Sequence, residues 1–80
     1  MNIEVVEWVD STGISRWDSR SSVEATKPLR PTSVGYVLHE TDDALYLAQS
    51  FDRNDEETQR FDHVIIIPLV AVISRRQIIP

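Results

Sequence analysis

The stretch SVGYVLHETDDALYLAQSF, Ser33 to Phe51, constrains the fold of this chain more than any other part of it. Val34, Tyr36 and Leu38 alternate with their neighbours and share one face of an extended segment. After the turn ETDDA, Leu45, Leu47 and Phe51 share a face in the same way. Asp42 and Asp43 can bond their own backbone within that turn, so the pattern predicts a β-hairpin. Gly35 in the first arm predicts a bend or a close approach of backbone, as a curving strand requires.

The rest of the chain follows from this anchor. NIEVVEWVD has β-branched and aromatic residues in rough alternation, which predicts a first strand over Ile3 to Val9 with apolar side chains on both faces. From Asp10 to Ser33 the composition turns to Ser, Thr, Gly, Arg and Pro, the signature of a long polar loop. Within it Ser21 and Glu24 have capping-box spacing, which predicts one or two helical turns near Ser22 to Thr26, ended by Pro28 and Pro31. Asp52 to Arg60 is too polar to be buried and reads as an exposed acidic loop reaching Asp62. FDHVIII predicts a fourth strand, apolar on both sides at its end and hence covered on both. Pro68 interrupts the ladder, so PLVA is expected to turn into a last strand over Val72 to Ile78. Five short strands with at most a short helix give an all-β class and a small, partly open five-stranded barrel of SH3-like or Sm-like type as one domain over 1–80.

A domain of 80 residues has a thin core, and with no cysteine neither a disulfide nor a thiolate metal site can supplement it. VIIIPLVAVI, Val64 to Ile73, is more apolar than one thin core requires, which predicts a homo-oligomer formed through the last strands. That run is far shorter than the roughly 20 residues of a membrane span, and a cytoplasmic location is the expectation. The net charge of −5 argues against DNA and against general RNA binding. The acids are concentrated in the middle of the chain, however, and all of the eight basic residues except Lys27 are arginine, a side chain suited to bidentate capture of phosphate or carboxylate.

Catalytic and metal motifs fail one by one. Asp52, Asn54 and Glu56 match the first ligand positions of a calcium loop, but Glu57 stands where glycine belongs and His63 where glutamate belongs. His39 and His63 have no second histidine at ligand spacing. The pairs Asp42/Asp43 and Glu56/Glu57 fall on turns in water, without the contrasting environments acid–base catalysis needs. Two glycines, Gly13 and Gly35, cannot make a phosphate-cradling run. No enzyme, cofactor or metal is expected. What remains is EWVDSTGISRWDS: Trp8 on a strand, then Ser11, Thr12 and Arg16 leading to Trp17. An indole in such company either anchors the loop on the core or stacks on a ligand. In the second reading Trp8, Trp17 or Tyr36 supplies a stacking plane, Arg16, Arg75 and Arg76 bond phosphates, and Ser11 and Thr12 complete a nucleotide pocket.

Taken together, VEWVDS, RW, PTSVGYVLHETDDALYLAQSF and IIIPLVAVISRRQI resemble a group of short proteins encoded by bacteriophages and prophages. At fold level the hairpin and the last strand pair also look like Sm-like barrels, which form rings through their last strands. ETDDA and IIIPLVA replace the RNA-binding loop signatures of that family. The phage resemblance implies an oligomeric, non-enzymatic protein that sequesters a cyclic nucleotide signal of bacterial immunity. Two alternatives stand beside it: an Sm-like RNA-binding ring, and a structural or protein-binding module without a small ligand.

Overall fold

The computed structural model describes residues 1–52 and 59–78. It is a five-stranded antiparallel sheet: β1 (Ile3–Trp8), β2 (Thr32–Glu40), β3 (Ala44–Asp52), β4 (Arg60–Pro68) and β5 (Val72–Ile78), in the spatial order β4-β3-β2-β1-β5. One helix, α1 (Arg20–Ala25), interrupts the β1–β2 connection, and a 3₁₀ turn over Leu69–Ala71 joins β4 to β5. The all-β class expected from the alternation is present. The sheet is not closed into a barrel, since β4 and β5 are its two edges and do not pair with each other.

One face makes the core. Val6, Trp8, Leu45, Leu47 and Ile67 are buried together, with Val37, Ile65, Leu69 and Val72 packed against them. The ladder aligns these side chains directly, Leu45 opposite Ile67 and Leu47 opposite both Val37 and Ile65. The 3₁₀ turn is held over this face from two sides. The Leu69 amide donates to the Asp43 carbonyl at 2.8 Å and the Val9 amide to the Ala71 carbonyl at 2.9 Å. Pro68, with no amide to give the ladder, sits where the strand ends and the turn begins.

Two devices curve the sheet. A bulge in β2 between Val37 and His39 leaves Leu38 as the extra residue. Gly35 is buried, and a Cβ there would lie 3.0 Å from the Ala48 carbonyl oxygen and 3.2 Å from the Leu47 Cβ, so the expected close approach of backbone is real. Across the curved sheet Arg75 of β5 bonds Glu4 of β1 twice, at 2.7 and 2.8 Å, and reaches Glu40 at the end of β2 at 2.9 Å. The Glu4 and then the Glu40 hydrogen bonds raise the guanidinium pKa, and the Arg75 bond holds the Glu40 carboxyl below its ordinary range.

Several expectations are corrected. β1 ends at Trp8 rather than Val9, at a register shift between Glu7 and Trp8. The helix starts at Arg20, and its cap is Ser19, whose Oγ accepts from the Ser22 amide at 3.2 Å; the Ser21 side chain does not cap it. Phe51 does not join Leu45 and Leu47 but sets its ring edge-on to Tyr36, 4.9 Å away. β4 is not covered on both sides, for Val64 and Ile66 are exposed while Ile67 is buried. The acidic loop expected over 52–62 has strand at both ends, and its 53–58 portion, which carries most of the rejected calcium motif, lies outside the described residues.

Candidate functional site

The β1–β2 connection leaves the sheet at Asp10 and returns at Leu29. These two residues form an isolated antiparallel bridge, Asp10 amide to Leu29 carbonyl at 2.8 Å and the reverse at 3.0 Å. The backbone between them is thus gathered at its base and left to make its own structure beyond. α1 supplies it, a single short helix that buries no side chain. Asp10 and Asp18 each fix the following residue by accepting its amide, Ser11 at 2.8 Å and Ser19 at 2.9 Å. Thr26 closes the helix by donating its hydroxyl to the Ser22 carbonyl at 2.9 Å.

Between the first half of this excursion and α1 lies an open groove of about 720 Å³. One wall carries Ser11, Thr12, Arg16 and Trp17, and the other Val23, Thr26 and Lys27. Trp17 is fully exposed, at 102% of the reference area, and does not pack against the core cluster as a loop anchor would. An indole left wholly in water forfeits the burial of an aromatic side chain, usually among the largest single apolar contributions in a small domain. Arg16 lies 3.7 Å from Asp18 and keeps most of its guanidinium exposed.

Half of the residues singled out in the sequence meet here. Ser11, Thr12, Arg16 and Trp17 line the groove. Trp8 does not: its indole lies in the core, 7% exposed, and donates through Nε1 to the Ser33 hydroxyl at 3.0 Å. Tyr36 packs against Phe51, Arg75 is engaged with Glu4 and Glu40, and Arg76 lies opposite Val5 on β5. Sequence reasoning overlooked Thr26 and Lys27, because it read Thr26 as the end of a helix and Lys27 as part of the polar loop, and neither as a wall. The sole lysine of the chain, two residues past that helix, was the available signal.

A second depression of about 560 Å³ lies at the end of the β3–β4 pair, lined by Ser50, Phe51, Asp52, Arg60, Phe61 and Asp62. Among the described residues no group of three His, Asp or Glu side chains could hold a metal ion, and no helix is long and apolar enough to cross a membrane. Comparison of the chain with protein-family models, with curated proteins and with solved structures matched nothing.

Proposed function

We propose that this protein is a non-enzymatic binding module whose groove between Ser11 and Lys27 takes a nucleotide-type ligand. The observation that carries the reading is Trp17, a fully exposed indole set beside Arg16 and Lys27. A base stacked on such a ring gains roughly 1–3 kcal/mol, and two cations within the same groove suit a phosphodiester. The hydroxyls of Ser11, Thr12 and Thr26 offer donors and acceptors for a sugar. In this reading the ligand is held and not turned over. With the phage resemblance, that favours sequestration of a cyclic dinucleotide or related signal of bacterial immunity.

A second reading has its own support. Val23, 48% exposed, and Ile14 give the groove an apolar share that a peptide side chain would fill as well as a base would. The test is a thermal-shift and tryptophan-fluorescence titration against cyclic di- and trinucleotides, linear nucleotides and short RNAs. A ligand at a hundred times its Kd should stabilise the fold by about 2.7 kcal/mol. Stabilisation by a nucleotide that disappears in Trp17→Ala supports the first reading. Silence across the panel in a folded protein rejects it and leaves the protein-binding module.

A further inference from the structure

The sheet has a second apolar face, turned away from the core. Residues directly opposite one another in neighbouring antiparallel strands share a face, and the register strings Val64, Ala48, Tyr36, Ile3 and Ile78 into one row that crosses all five strands. Beside it run Val34 with Val5, and Ile66 with Tyr46. None of these residues is charged, although the chain carries thirteen acids. Charged residues flank it, Arg76 opposite Val5, Glu7 opposite Thr32, with Glu7 paired to Arg30 at 3.8 Å, and Asp62 opposite Ser50, two residues along β4 from Val64. Val34 is 57% and Ile66 56% exposed in the single chain.

We propose that this face is covered by a second copy of the same chain, sheet against sheet, in a twofold dimer. Three observations select that occupant. The face is an uncharged apolar centre with a charged margin, the anatomy of a homodimer interface, and it keeps the net charge of −5 on each copy away from the contact. Its extent is of the right order: one row of five residues with a pair on either side, all but Ala48 at least partly exposed, presents on the order of 500 Å² per copy, so two copies together approach the roughly 1,000 Å² of a specific interface. The core of one copy is also small, five buried apolar residues among those described, so a second apolar layer supplies what the first lacks. Two such sheets packed face to face make a β-sandwich with one sheet from each chain. This interface is distinct from the Trp17 groove and does not depend on the reading of that groove.

The experiment is sedimentation equilibrium of the whole chain at micromolar concentration, for the unaltered protein and for Val34→Lys, Val64→Lys and Val70→Lys. Val70, 99% exposed on the 3₁₀ turn, is the control. The expected result is a dimer that Val34→Lys and Val64→Lys each weaken by roughly 100-fold, while Val70→Lys leaves it intact. If Val64→Lys fails to fold, Val34→Lys gives the same reading, and intermolecular methyl contacts between Val34, Val64 and Ile66 in a mixed-label sample of the unaltered protein give it independently. A monomer overturns the proposal. So does a larger ring insensitive to Val34→Lys, the result expected if copies join through the edges of β4 and β5.

Discussion

The two tryptophans hold opposite positions, and single substitutions should separate them. Trp8→Ala opens a cavity in the core and is expected to cost about 3–5 kcal/mol, enough to unfold a domain this small, as a thermal melt would show. Trp17→Ala removes a side chain that touches no core residue, so the melt should stay within about 0.5 kcal/mol while ligand binding is lost. Asp18, 3.7 Å from Arg16, competes with any phosphate for that guanidinium. Asp18→Asn is therefore expected to tighten nucleotide binding several-fold, measured by the same titration. Gly35→Ala forces a methyl to 3.0 Å from a backbone oxygen and should destabilise by about 1–3 kcal/mol. The constraint at Gly35 was legible in sequence, because a glycine inside an alternating strand has few other uses. The roles of the tryptophans were not, since both the strand and the loop permit either burial or exposure of an indole.

Elements were legible where periodicity and punctuation agreed. The hairpin of β2 and β3, the turn after Pro68 and the bounds of β5 follow from alternation and proline alone. The cap of α1 was misread because Ser19, Ser21 and Ser22 are all competent caps, and only the backbone decides among them. Pairing across elements was beyond reach, and the tie from β5 to β1 and β2 is an example. Arg75→Ala removes the two hydrogen bonds donated to the Glu4 carboxylate and is expected to lower stability by about 1–2 kcal/mol, read by urea denaturation. Glu40, held below its ordinary pKa by Arg75, stabilises the fold above the pKa it has in the unfolded chain. That contribution is lost as pH falls through its lower, folded value. Glu40→Gln should flatten the acid limb of the stability profile below about pH 4.5, and Arg75→Ala should make the two profiles coincide.

At the scale of the whole molecule the all-β class was readable, but not which apolar residues face inward. A strand with isoleucine on both sides, as in β4, looks the same whether its second face meets more of its own chain or another chain. The sheet dimer predicts that the melting temperature rises with protein concentration, and a concentration-independent melt would contradict it. The single bridge between Asp10 and Leu29 has a different bearing. It attaches the whole groove to the sheet by one clasp of two hydrogen bonds, so the residues between can be rewritten wholesale without disturbing a ladder. A library randomised from Ser11 to Pro28 should therefore keep its fold while its recognition drifts. In a lineage under pressure to change what it captures, that excursion is where sequences would diverge fastest.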